Sequence, residues 1–236
     1  MYVIGDVHGC YKTLMALVEK LPKDEQIIFV GDLIDRGPGS REVVQWVIDN
    51  PTKCRSVKGN HEIMLVNARK KPNISNVILW TQNGGSEALD SYFPETQTRS
   101  VYDGLDDDAR VGALRQSRRR IDIPKEHLEF FESLPLYLEE GKLFVSHTGL
   151  NDNIPWDNFL KLQDSTWYRG NPGRLPDNRF HVFGHTPTPQ VEMSDFYANI
   201  DTGACFAGSI DFGNLTALHY PTMDITQQEN IDFPAR

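Results

Sequence analysis

The chain has 236 residues, enough for one large domain that buries a core without disulfides or a structural metal. Its 39% hydrophobic and 24% charged residues, with 18 Gly and 14 Pro, exclude a disordered or fibrous protein. The net charge of −9 leaves no broad basic face, which argues against nucleic acid or an anionic membrane as the main partner.

In chain order, residues 2–4, 27–30 and 55–57 are predicted as buried strands. Between them, residues 11–21 place Leu14, Leu17, Val18 and Leu21 on one helical face. Residues 40–49 do the same with Val43, Val44, Val47 and Ile48, behind Ser40 as N-cap. This alternation predicts an α/β fold with parallel pairing. Residues 63–134 read as a mostly helical insert in a single domain spanning 1–236. Within it, 77–92 is a helix interrupted at Asn83-Gly84-Gly85, and 124–134 a short amphipathic helix opening on Pro124. A polar helix between Asp106-Asp107-Asp108 and Arg118-Arg119-Arg120 reads as a solvated surface, with a lid over the site as the alternative. The last third predicts strands at 136–139, 142–146, 181–184, 197–200 and 215–220, several close enough for antiparallel pairing. The polar stretch from Pro221 is expected to be loosely held. Cys10, Cys54 and Cys205 form no CxxC pair, and no apolar run approaches the ~20 residues of a membrane span. Reduced thiols, no leader segment and a cytoplasmic location are expected.

Each early strand runs into a glycine-marked polar turn, where open α/β sheets carry their sites. Asp6 and His8 lie in the first turn, Asp32 in the second and Asn60 in the third. His147 and His185 follow two later strands, and Asp201 is a further candidate. A loop Asp or His taken alone is ordinarily a cap or a surface residue. Together these residues offer mixed oxygen and imidazole donors without thiolate, which suits Mn, Fe or Zn. The donors are too many for one catalytic ion and suit two that share a carboxylate, with Asp32 the natural bridge.

The strings GDVHG, GDLIDRG and GNHE, followed by SHTG and FGHT, resemble the calcineurin-like metallophosphoesterases. Within them the pattern is similar to the PPP-type serine/threonine phosphatases, the bacteriophage lambda phosphatase and the symmetrical diadenosine tetraphosphatases. The resemblance implies a four-layer αββα sandwich of two mixed sheets flanked by helices. It implies two divalent ions, with Mn the first expectation. Asp6, His8 and Asp32 would hold one, and Asp32, Asn60, His147 and His185 the other. It implies attack on phosphorus by a hydroxide held by both ions. His61 would be the general acid, with Asp35 as its partner carboxylate. Arg36 would bind a phosphate oxygen, and Asn60 also faces substrate by motif. Trp167-Tyr168-Arg169 resembles the stretch that brings a second phosphate arginine, Arg169. Lys58 stands where many members carry Arg, keeping the charge but losing the fork. Asp201 is expected to support the ligands from behind, and Cys10 to be a packing residue.

The main expectation for substrate is phosphoserine or phosphothreonine, with phosphotyrosine also considered, in proteins. The alternative is a dinucleoside polyphosphate, such as diadenosine tetraphosphate. Gly37-Pro38-Gly39-Ser40 fits the tetraphosphatases, whereas Asp35 and Glu62 side with the protein phosphatases. A metal-poor binding module on the same fold should have lost ligands, and none of the six core ligands is missing. A monomer without nucleic-acid or membrane partners is expected.

Overall fold

A computed structural model describes residues 1–71, 73–94, 123–150, 155–161, 163–169, 173–209 and 211–233. The helices are α1 (Tyr11–Lys20), α2 (Ser40–Asp49), α3 (Asn60–Lys70), α4 (Ile74–Trp80), α5 (Ser86–Tyr92), α6 (Lys125–Ser133) and α7 (Trp156–Phe159). The strands are β1 (Tyr2–Ile4), β2 (Ile27–Phe29), β3 (Cys54–Ser56), β4 (Tyr137–Glu140) and β5 (Leu143–Ser146). They continue with β6 (Phe180–Phe183), β7 (Glu192–Met193), β8 (Tyr197–Asn199), β9 (Asn214–His219) and β10 (Asp224–Glu229). They form two five-stranded mixed sheets, ordered β10-β9-β1-β2-β3 and β4-β5-β6-β8-β7.

The period of two in a strand explains the layering. Val3, Ile28 and Leu218 of the first sheet join Leu143, Val145, Val182 and Ala198 of the second in one apolar cluster, so the sheets face each other. Their neighbours Ile4, Ile27, Phe29 and Ala217 point the other way, onto Leu14, Leu17, Val43 and Val47 of α1 and α2. On the far side of the second sheet, Phe144 packs with Leu150, Phe159 and Leu175. Two mixed sheets flanked by helices are thus the direct result of alternating apolar residues.

The strands β1, β2 and β3 pair in parallel through the α1 and α2 crossovers. Antiparallel pairing holds for β4–β5, β7–β8 and β9–β10. The chain-order neighbours β5 and β6, and then β6 and β8, pair in parallel instead, because the segments joining them are long enough to cross over. Two local expectations need correction. Gly39, not Ser40, is the N-cap of α2, and the Ser40 hydroxyl accepts the Asp35 N–H at 3.0 Å. As far as residue 233 the stretch after Pro221 is held: all six residues of β10 pair with β9. Beyond it, the Asp232 carboxylate accepts the N–H groups of Lys12 and Thr13 at 3.0 and 2.9 Å and the Thr13 hydroxyl at 2.6 Å. It caps a helix whose own N-cap residue, Cys10, offers no side-chain bond. The charged segments at 106–108 and 118–120, and with them the lid alternative, lie outside the described residues. No described helix is long and apolar enough to cross a membrane.

Candidate metal centre

The loops after β1 and β2 are laced together by backbone bonds. Val7 and His8 donate to the Asp32 carbonyl at 3.2 and 2.9 Å, and Gly9 donates to Leu33 at 2.9 Å. His8, Asp32, Asp35, Arg36 and His185 all hold positive φ, between 45° and 73°. Each costs about 1–3 kcal/mol in a non-glycine residue, and the surrounding bonds hold it there. Backbone strain of this kind concentrates where side chains must converge.

Two groups of possible ligands form at the strand ends, His8 with Asp32 and His61, and Asp32 with His147 and His185. All members are buried, and in each group the donor atoms lie within 4.8 Å of one another. Asp32 belongs to both. Its Oδ2 is 3.6 Å from His8 Nε2 and 3.7 Å from His61 Nε2, while its Oδ1 is 3.4 Å from His147 Nε2. One carboxylate therefore turns an oxygen to each group. Asn60 Oδ1 adds an oxygen donor 2.9 Å from His147 Nε2.

Hydrogen bonds aim the imidazoles. His8 Nδ1 faces the Ile34 carbonyl at 2.9 Å, and His147 Nδ1 faces Val30 at 2.8 Å. A carbonyl accepts only from N–H, so in the neutral imidazole, the form that binds a cation, these bonds leave Nε2 to carry the lone pair. His185 Nε2 is buried without a hydrogen-bond partner. Charge points the same way. Asp6, Asp32 and Asp201 are 2–3% exposed and lie close enough to repel one another. Burial raises Asp6 well above the usual carboxylate range and pushes Asp201 up to about 6. Burial would also raise Asp32, but the imidazoles of His147 and His61 hold it well below that range. Burial disfavours a charged His147, yet Asp32 overrides it and holds the imidazole up at about 9. Buried oxygen and imidazole donors gathered around a shared carboxylate fit divalent cations.

His61 falls in the first group with His8 and Asp32. Asp6 is buried close enough to His147 and Asp32 to feel their charge, and it accepts the His185 backbone N–H, 3.2 Å from either oxygen. The Lys58 ammonium donates one N–H to the Glu132 carbonyl at 3.0 Å, near the end of α6. Arg36 Nη1 is 2.7 Å from His8 Nε2 and Nη2 is 3.1 Å from His61 Nε2, so its guanidinium faces the first group. Exposed Arg169 donates to the His185 carbonyl at 3.1 Å, beside the second. Asp201 joins neither group and accepts the Gly203 N–H at 3.0 Å. Cys10 is buried against the His8 carbonyl, and burial pushes its thiol up.

His61 Nδ1 lies 2.7 Å from Asp35 Oδ2. Behind Asp35 stands Trp80, whose indole N–H donates to that carboxylate at 3.0 and 3.1 Å. Sequence reasoning missed Trp80, since a tryptophan in an apolar helical stretch carries no signal of a polar duty. It also missed the task of Glu62. This carboxylate is fully buried and accepts the N–H groups of Gly59, Asp32 and Leu33 at 2.8, 3.0 and 2.8 Å. It ties the third loop to the second. Glu62→Ala is expected to destabilise the fold by about 3 kcal/mol or more, because three buried donors lose their acceptor. Urea unfolding at constant pH reads this, and a loss below about 1 kcal/mol would show that the loops hold without it.

Residues 1–209 match the family model described as calcineurin-like phosphoesterase. The asymmetrical bis(5'-nucleosyl)-tetraphosphatase PrpE of Anoxybacillus flavithermus is 29% identical, over 94% of this chain and 91% of its own length. The protein of that name from Bacillus velezensis is 26% identical, over 97% and 92%. Among solved structures, one provisionally assigned as a diadenosine tetraphosphatase has a TM-score of 0.66 at 20% identity, covering 98% of this chain and 94% of its own. A Saccharomyces cerevisiae serine/threonine phosphatase similar to human PP5 has a TM-score of 0.54 at 16% identity, covering 99% and 80%.

Proposed function

The chain belongs to the calcineurin-like phosphoesterase family, and on that footing we propose that it hydrolyses dinucleoside polyphosphates with the help of two divalent cations. The observation that carries the two-ion reading is the pair of ligand groups joined through Asp32. The substrate reading is supported by the curated relatives, which match over nearly the whole chain and are named as dinucleoside tetraphosphatases.

Asp6, His8 and Asp32 would hold one cation and Asp32, Asn60, His147 and His185 the other, with Mn proposed from the imidazole and oxygen donors. Bound there, the cations would draw in phosphate oxygens and bring the pKa of a water toward neutrality. Arg36 offers two N–H groups to the equatorial oxygens once it turns from the imidazoles, and Arg169 adds a second cation at the rim. His61, anchored on Asp35 through Nδ1, presents Nε2 to the leaving oxygen.

Asp35 and Glu62 had favoured a phosphoprotein substrate. Both are fully buried: Asp35 is occupied by His61 and Trp80, and Glu62 by backbone N–H groups. Neither side chain faces the substrate, and Asp35 bears on the leaving group only through His61. Phe206, 37% exposed, lies 5.3 Å from the Arg36 guanidinium carbon and edge-on to Phe212. A flat apolar ring beside the phosphate arginine suits a nucleobase. Phe206→Leu should raise KM for diadenosine tetraphosphate by about tenfold, the worth of one stacked base, and move KM for 4-nitrophenyl phosphate far less. Equal changes would remove the stacking role.

A second reading, phosphoserine or phosphothreonine hydrolysis, is favoured by the buried Asp35–His61 pair, since an alkoxide leaves only with a proton. Competition between diadenosine tetraphosphate and a phosphoserine peptide on the Mn-loaded protein decides between them. The proposal expects the dinucleotide to win, with ATP and AMP as products if cleavage is asymmetrical and two ADP if it is symmetrical. A peptide preference would replace it by the second reading. A cytoplasmic monomer without nucleic-acid or membrane partners belongs to the same proposal.

A further inference from the structure

We propose that Trp80 is a positioning residue for the leaving-group acid, its indole N–H fixing the Asp35 carboxylate that orients His61. The inference rests on phosphoester hydrolysis and not on which ester is cut.

Asp35 is fully buried, so every lone pair on its carboxylate counts. His61 takes one side, with Nδ1 2.7 Å from Oδ2. A carboxylate held from one side alone can turn about its Cβ–Cγ bond, and the imidazole turns with it. Trp80 closes the other side: Nε1–H is shared between Oδ1 at 3.0 Å and Oδ2 at 3.1 Å. The Ser40 hydroxyl holds the Asp35 backbone N–H at 3.0 Å. The residue is therefore fixed at both ends, and His61 Nε2 is left directed at the ligand group.

The indole is itself seated by glycine. A Cβ on Gly85 would stand 2.6 Å from ring atoms Cδ2 and Cε2 and 2.7 Å from Nε1, so the wide turn Thr81–Gly85 closes over the ring only without one. Gly84, with φ of 102°, accepts the Arg36 N–H on its carbonyl at 3.0 Å. A Cβ there would meet Arg36 Cγ at 2.6 Å. One wall from the helical insert thus sets the carboxylate behind the acid and the backbone of the phosphate arginine. A tryptophan kept only for packing would not need its N–H on a buried carboxylate.

The test separates positioning from packing by leaving group. Trp80→Phe keeps an aromatic ring and removes the N–H. Should it not fold, β-(3-benzothienyl)alanine at position 80 keeps the bicyclic shape and also lacks the N–H. On an alkyl phosphate, kcat is expected to fall about tenfold or more with KM unchanged. On 4-nitrophenyl phosphate, which leaves unaided, kcat should fall by no more than about twofold. In a His61→Asn background the same change should cost nothing further. By proton NMR, the downfield Nδ1–H resonance that His61→Asn abolishes should shift or broaden in the position-80 variants. Equal losses on both esters, full additivity with His61→Asn, or an unmoved resonance would each overturn the proposal. A wild-type protein that cleaves neither ester nor diadenosine tetraphosphate would refute the hydrolase reading instead, and the resonance would still report on Trp80.

Discussion

Asp32→Asn is expected to lower turnover on every phosphoester by about 10³-fold or more and to cut metal content sharply. The size follows from position. Among the described residues Asp32 alone belongs to both ligand groups, one oxygen toward His8 and His61 and the other toward His147. The fold should survive, because asparagine has the same shape and its carbonyl can still accept the His61 backbone N–H, now 3.1 Å from Oδ1. Its amide would then face the imidazole lone pairs as a donor, which suits the imidazoles but offers a cation nothing. Metal analysis after gel filtration, beside a circular dichroism spectrum, checks both halves. A folded variant with full metal content would remove Asp32 as the bridge.

His61→Asn is the second large effect, and its size should depend on the substrate. For an alkoxide leaving group, loss of the acid should cost about 10²–10⁴-fold in kcat. For 4-nitrophenyl phosphate or a polyphosphate anhydride, whose leaving oxyanions are weak bases, the loss should be about tenfold or less. The residual loss reflects His61 Nε2 lying 3.7 Å from Asp32 Oδ2, within the first ligand group. A series of aryl and alkyl phosphates reads this as a steeper dependence on leaving-group pKa in the variant. Parallel lines would deny His61 the acid role.

Much of the architecture is legible because both sheets bury alternate residues. Ile27, Ile28 and Phe29 read as a strand from sequence, and they divide between the two apolar layers. The turn at Asn83-Gly84-Gly85 is equally plain, since glycine at positive φ breaks a helix by its chemistry. The edge strand β10 escaped for the opposite reason. It lies at the sheet margin with its side chains mostly toward water, so its sequence shows no apolar face. Within the site, residue types and spacing pointed to Asp32 as the shared carboxylate. They did not show that Asp6 would accept the His185 N–H, or that Lys58 would donate to the Glu132 carbonyl. Those outcomes depend on which backbone groups need partners after folding. Trp80 and Glu62 belong to the same class, as polar duties performed from inside the core for residues distant in sequence.

The most direct test of the central claim is a manganese titration of the metal-free protein, followed by calorimetry and by hydrolysis of 4-nitrophenyl phosphate in the same samples. The two ligand groups predict two equivalents bound per chain. Activity should rise only as the second is filled, and His185→Ala should bind one ion and stay inactive. Full activity at one equivalent, or activity that persists in excess chelator, would contradict the two-cation site.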